Sequence, residues 1–232
     1  ALNKNKGQLQ EGKKWYAQAR QIVLDLNEPH PTAQYWRNMG SDAEWELNLD
    51  SANSCYERAR VIFDSTDQSL AIQMISRQAN NLQNMGEYTR ADVMIDEVIN
   101  RARGGNYLLE LGSAYQSKAW ILLQQGQSEL GKPLADSAAK YYELSGNDNS
   151  LASIYALRGD FNRKMFNFKE AYAWYSKADS IWQAAKNPWY RSSGMINFIV
   201  MYYYQGDYQT SLDYTYKALA ERPFLLEDQT YI

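Results

Sequence analysis

His30, Cys55 and a few paired carboxylates are the residues of this 232-residue chain whose types can do chemistry. His30 is the one histidine and stands between two prolines in Glu28-Pro29-His30-Pro31. With no second imidazole to share a metal or a proton relay, it reads as a loop residue at a helix entrance. Cys55 is the one cysteine, sits beside Tyr56 on a packing face, and reads as a buried, inert thiol. The acid pairs Glu44 with Glu46 and Asp92 with Asp96 have the spacing of a solvated helix face. General acid–base work needs two carboxyls buried and converging on one cleft. No phosphate-binding Gly-rich loop, His-Glu-x-x-His or Cys-x-x-Cys motif is present, and Gly104-Gly105 reads as a turn. The expectation is a chain with no catalytic residues, no metal site and no cofactor.

Composition points the same way. Lys and Arg total 24 against 27 Asp and Glu, a net charge of −3 that gives no reason to expect phosphate-backbone binding. The densest apolar stretch, Met195–Tyr204, is too short to span a bilayer, so membrane insertion of this segment is not expected. A single cysteine excludes an internal disulfide and leaves cytoplasm and periplasm both open. The start, Ala-Leu-Asn-Lys-Asn-Lys-Gly-Gln, has neither an initiator Met nor an apolar leader core.

What the chain does carry is a period. Small residues that follow a turn recur as Ala17, Ala52, Ala91, Gly131, Ala171 and Ser211, at separations of 35, 39, 40, 40 and 40. Seven residues on, two helical turns along one face, stand Leu24, Ala59, Val98, Ala138, Ala178 and Ala218. Five residues before the anchors come Gly12, Leu47, Gly86, Gly126, Phe166 and Gly206. The glycines mark a tight helix-to-helix turn, and Leu47 and Phe166 depart from it. The preceding helix repeats too: Trp36, Met39, Gly40 and Ala43 align with Tyr155, Arg158, Gly159 and Asn162.

These positions resemble the tetratricopeptide repeat (TPR), whose pattern is Trp-x2-Leu-Gly-x2-Tyr, then Ala-x3-Phe-x2-Ala and a closing Pro. The matching residues are Trp36, Gly40, Ala52, Tyr56 and Ala59; then Gly159, Ala171, Tyr175 and Ala178; then Gly206, Tyr208, Ala218 and Pro223. The usual repeat is about 34 residues. The longer spacing here is similar to the long-repeat variety of kinesin light chain and bacterial peptide-sensing regulators. The resemblance implies an all-α right-handed superhelix, an α-solenoid of antiparallel helix pairs.

The hairpins are expected as 33–45 with 49–63, 69–84 with 88–102, 108–124 with 128–144, 150–164 with 168–186, and 191–205 with 208–221. They form one domain over 1–232: five full repeats over 33–223, an incomplete first repeat over 1–29, and the start of a further helix over 224–232. Phe224, Leu225 and Leu226 read as the start of something that continues, so the chain is expected to be a piece of a longer protein with a further domain beyond Ile232. Tyr56, Tyr88, Phe168, Tyr175 and Tyr208 fall on the core register.

In this family the first helix of each hairpin lines the concave face. Opposite the core stripe at about 100° per residue lie Gln34, Arg37, Asn38, Ser41, Glu44 and Trp45. Arg77, Asn80, Asn84 and Gln83 follow by register, then Gln116, Trp120 and Leu123. Ser153, Leu157, Asp160, Arg163 and Lys164 come next, and Asn197, Tyr203 and Tyr204 last. Amides satisfy both the N–H and the C=O of an extended strand, Arg grips carboxylates, and aromatics supply anchors. The expected partner is a protein or extended peptide carrying acidic groups. The family's carboxylate clamp uses Lys and Asn where this chain has Arg37 and Ser41, and Arg77, Ser113 and Ser117 break it further. That argues against a receptor for chaperone tails.

Three classes compete: a non-catalytic peptide- or protein-binding scaffold acting as the sensing segment of a bacterial regulator, a stand-alone assembly or adaptor protein, and a helical-array enzyme. The thin inventory of reactive groups argues against the third, and the apolar restart at Phe224–Leu226 favours the first.

Overall fold

The turns decide how the helices meet. In this computed structural model, which describes residues 15, 18–23, 25–26, 28–185 and 188–221, the backbone turns left-handed at Leu47, Gly86, Gly126, Phe166 and Gly206. Each follows the last turn of a first helix. The next residue's N–H then reaches back five residues to a carbonyl: Asn48 to Ala43 (2.9 Å), Glu87 to Leu82 (2.8 Å), Gln127 to Leu122 (2.8 Å), Asn167 to Asn162 (2.9 Å) and Asp207 to Tyr202 (3.0 Å). This is a Schellman cap repeated five times. The two departures from glycine therefore adopt the glycine conformation, with φ of 58° at Leu47 and 60° at Phe166. An L side chain there costs roughly 1–2 kcal/mol. Leu47 is 84% exposed and loses no burial on truncation. Leu47→Gly should raise stability by about 1 kcal/mol; a urea midpoint that stays put or falls would contradict this.

The helices run α1 (Pro29–Trp45), α2 (Leu49–Thr66), α3 (Gln68–Asn84), α4 (Tyr88–Gly105), α5 (Leu108–Gln124), α6 (Ser128–Ser145), α7 (Asp148–Lys164), α8 (Phe168–Ala184), α9 (Pro188–Gln205) and α10 (Tyr208–Ala220). No strand occurs among the described residues, and no helix there is long and apolar enough to cross a membrane. Asn48, Asp67, Asn147 and Asp207 accept a backbone N–H three residues on, capping α2, α3, α7 and α10. Observed bounds lie within a few residues of the expected ones. Gly12, Ala17 and Leu24 of the incomplete first repeat, the end of the fourth second-helix at Lys186, and Pro223 with the restart at Phe224–Leu226 lie outside the described residues.

The chain divides into two compact units, residues up to Glu110 and residues from Leu111. In the first, α1, α2, α3 and α4 pack in sequence around Ala33, Ala52, Tyr56, Ala59, Phe63, Ala71 and Met74. In the second, α6 to α10 pack in sequence, with one core around Ala138, Tyr142, Ile154 and Phe161 and another around Ala171, Tyr175, Phe198 and Met201. Ala52, Ala59, Ala91, Ala171 and Ala178 are fully buried, as their spacing requires. Ala218 is only half-buried, because no described helix follows α10 to cover it. Tyr208 departs further: expected in the core, it is 65% exposed. Ala178→Leu should cost about 1–3 kcal/mol by overpacking the site between Ala152, Ala156 and Trp182, read as a lower denaturation midpoint with helical content intact.

Candidate partner-binding faces

The polar first-helix faces are built around tyrosines that reach through gaps left by glycine. In the first unit, a Cβ on Gly40 would lie 2.6 Å from the Tyr56 ring, so only glycine lets that ring lie flat on α1. The ring then points its hydroxyl toward α1's polar face, where Glu44 stands. Burial first, and the neighbouring Glu44 second, push the Tyr56 hydroxyl well above its ordinary range. Arg77 of α3 bonds Glu44 (Nη1 to Oε2, 3.1 Å) and sits 5.7 Å above the Tyr56 ring.

The second unit repeats the device twice. Gly112 lies under Tyr142, whose hydroxyl donates to Gln116 Oε1 at 2.7 Å. Gly159 lies under Tyr175, where a Cβ would come within 2.3 Å of the ring. The Tyr175 hydroxyl donates to Asp160 Oδ1 (2.8 Å) and accepts from Arg163 Nε (3.2 Å). Arg163 Nη2 also donates to Asp160 Oδ1, at 3.0 Å, and the guanidinium lies 5.3 Å from the Tyr204 ring. Burial first, and the facing Asp160 carboxylate second, push the Tyr175 hydroxyl well above its ordinary range.

Within the first unit, then, Arg37 is half-buried with no ion pair to any described residue, Asn38 is exposed, and Ser41 is half-buried. Arg77, Asn80 and Asn84 are exposed, and Arg77 is engaged by Glu44. Within the second, Gln116, Arg163 and Asn197 are half-buried, while Lys164 is exposed and caps α5 by donating to the Leu123 carbonyl at 3.0 Å. Tyr203 is 60% exposed, its ring edge-on to Tyr204 and Tyr208. Trp120 is half-buried against the core around Ala119, Leu123 and Phe161, so it packs as well as faces outward. Gln83, Leu123 and Leu157, placed on the polar wall by a straight 100° wheel, are buried at 7%, 2% and 5%.

No cluster of metal-ligating residues occurs among the described residues. His30 is exposed, its ring edge-on to Phe63. Cys55 is only half-buried rather than buried, and burial pushes its thiol's pKa up, away from a reactive thiolate. Glu44 and Asp160 fall on the faces where the helical wheel puts them; what the sequence did not show is that they pair with Arg77 and Arg163. The available signal was the recurring pair of a small first-helix residue with a second-helix tyrosine. Arg163→Ala should cost about 1–3 kcal/mol, because it strips a half-buried carboxylate and a buried hydroxyl of a partner, whereas Arg37→Ala should leave the melting curve in place; equal effects of the two would contradict this assignment.

The paired helices, the left-handed first-helix ends and the small-residue contacts define an all-α, TPR-type helical-repeat fold. No family model and no curated protein sequence matches the chain. Solved structures do. The Rap conjugation gene regulator of plasmid pLS20, solved in complex with the Phr* peptide, aligns at 20% identity with a TM-score of 0.73, covering 96% of this chain and 61% of its own. BtubC (BKLC) from P. vanneervenii aligns at 16% identity and a TM-score of 0.68, covering 93% and 89%. Nearly identical TPR-like repeats of kinesin-light-chain type from Podosopora anserina align at 13% identity and a TM-score of 0.58, covering 84% and 96%. The chain thus spans about three fifths of the Rap regulator's length.

Proposed function

We propose that this chain is a non-catalytic scaffold that binds an extended peptide or protein segment, and that it serves as the partner-sensing part of a regulatory protein. The observation that carries this reading is the state of α1's polar face. Arg37, Asn38 and Ser41 stand side by side with no hydrogen bond or ion pair to any described residue, although an arginine is expensive to hold half-buried without an acceptor. An amide, a hydroxyl and a guanidinium left open together suit a peptide backbone with a carboxylate. The solved complex of a structurally similar Rap regulator with a Phr* peptide supports a peptide as the ligand class. Arg77 and Arg163, already neutralised by Glu44 and Asp160, act as framework for the tyrosines, and Asn80, Asn84, Gln116, Trp120, Lys164, Asn197 and Tyr203 extend the faces.

The test is selection from a displayed library of random linear peptides on the full chain, followed by affinity measurement on the variants. Enriched peptides should carry Asp or Glu. They should lose at least tenfold in affinity on Arg37→Ala and weaken as salt rises, since partly exposed charges are screened. Peptides that bind Arg37→Ala and the parent equally would refute this face as the site.

A further inference from the structure

One hydroxyl on the α1 face departs from its equivalents. Three tyrosines lie over first-helix glycines, and two have their hydroxyls engaged: Tyr142 donates to Gln116 at 2.7 Å and Tyr175 to Asp160 at 2.8 Å. Tyr56 is fully buried, and its hydroxyl meets no partner in hydrogen-bond geometry. Glu44 and Arg77 stand close enough to perturb it, the one raising and the other lowering its pKa, yet neither is aligned to bond it. A buried hydroxyl left unpartnered is costly, and a group that brings an acceptor recovers that cost.

The fourth hairpin shows which part is missing. Gly40-Ser41 of α1 aligns with Gly159-Asp160 of α7. There Asp160 Oδ1 is the common acceptor of the Tyr175 hydroxyl and of Arg163 Nη2, at 2.8 and 3.0 Å. In α1 the place of the acid is held by Ser41, which is short and uncharged, while the hydroxyl and the guanidinium are both present as Tyr56 and Arg77, 5.7 Å from the ring. Glu44 does not replace the acid, because it takes Arg77 Nη1 and leaves the Tyr56 hydroxyl unmet. Arg37 lies one turn before Ser41 on the same face and has no ion pair to any described residue. Along the line Arg37, Ser41 and Glu44, with Arg77 beside it, the cations outnumber the acid.

We propose that the α1 face is a seat for one carboxylate of the bound peptide, which lies over Ser41 and accepts from the Tyr56 hydroxyl and Arg77 as Asp160 accepts from Tyr175 and Arg163. The seat rests on the peptide-scaffold reading and gives that reading a specificity-determining group, the Tyr56 hydroxyl. A neutral carbonyl would meet the hydroxyl but not the two guanidiniums, whereas a carboxylate has oxygens for both. Access requires only a side-chain shift. Arg77 is 49% exposed and held by one 3.1 Å bond to Glu44, an exposed pair of the kind that resists displacement little, and its guanidinium has further N–H groups for the ligand.

The first test needs no ligand. Tyr56→Phe removes a hydroxyl that bonds nothing in the chain, so its melting midpoint should equal the parent's, unlike that of Tyr175→Phe. Ser41→Asp supplies the acid internally and should raise the midpoint by a few degrees, and by less in the Tyr56→Phe background. The binding probe is the acidic peptide most enriched on the parent chain from the displayed library, fluorescein-labelled and amidated at its C-terminus. Copies carry each Asp or Glu replaced in turn by Asn or Gln, and one copy has a free C-terminal carboxylate. By fluorescence anisotropy, neutralising one particular acid should weaken binding to the parent about tenfold or more. Tyr56→Phe should bind the starting peptide about tenfold more weakly and lose less from that neutralisation, and Ser41→Asp should not bind it. A peptide that binds only with its C-terminus free puts the terminal carboxylate in the seat; one that binds when amidated puts a side-chain carboxylate there. The seat is overturned if Tyr56→Phe binds as tightly as the parent, if it melts lower, or if Ser41→Asp binds undiminished. When the same peptides still lose affinity on Arg37→Ala, the seat alone has failed. A library that enriches no acidic peptide removes the scaffold reading and the seat together.

Discussion

Tyr175→Ala should lower the stability of the second unit by about 3–5 kcal/mol. The ring is 1% exposed and packs against Ala171, Phe198 and Met201, so truncation leaves a cavity bounded by residues that cannot all relax. The hydroxyl adds a separate loss. Tyr175→Phe keeps the packing but removes the donor to Asp160 and the acceptor for Arg163, and should cost about 1–3 kcal/mol, the range for leaving buried polar partners unsatisfied. Chemical denaturation of the three proteins separates the two contributions. If Phe proves as costly as Ala, the hydroxyl network rather than ring packing holds this region.

The second large effect reverses sign with its background. Gly159→Ala places a methyl 2.3 Å from the Tyr175 ring, which is locked on its far side by Phe198 at 5.9 Å. The strain should cost about 1–3 kcal/mol, set against the roughly 1 kcal/mol that alanine gains over glycine inside a helix. A net loss near 1–2 kcal/mol is expected. With Tyr175 already alanine the clash is gone, and the same substitution should then stabilise by about 1 kcal/mol. A double-mutant cycle in urea measures the coupling. Additive effects would show that glycine is present at 159 for some reason other than the ring.

The helix pairs were legible because the signals that specify them are local. A left-handed turn residue, a small residue five positions later and another two turns beyond recur at a fixed distance, so each hairpin could be placed within a few residues. Leu47 and Phe166 looked like breaks in that rule, yet the backbone treats them as it treats glycine: the cap's hydrogen bonds outweigh the local steric cost. The polar faces were less legible for a geometrical reason. A straight wheel assigns one buried stripe per helix, but α3 and α7 pack against helices on both sides. Gln83 and Leu157 were drawn inward in consequence, and Leu123 is buried in the core it shares with Phe161. The engagement of Arg77 and Arg163 was also hidden, since it depends on Glu44 from a neighbouring helix in one case and on a tyrosine from α8 in the other. Tyr208 shows the opposite error. A core register states what a residue can pack against, and Tyr208, with the Tyr203 ring edge-on beside it, is still 65% exposed.

Asp67 is at once the residue that ends α2 and the residue that caps α3, with an extended backbone at φ −157° and ψ 98°. Its N–H closes on the Phe63 carbonyl at 2.8 Å, and its carboxylate holds the Leu70 N–H at 3.0 Å. Asp67 is therefore the single residue between the two helices. A single inserted residue after Asp67 would rotate α3 by about 100° and swing Ala71 and Met74 off the seam they share with Phe63. The longer connections through Asn106 and Gly146 have more room to absorb such a change, so length variation between hairpins should be borne there and refused at Asp67.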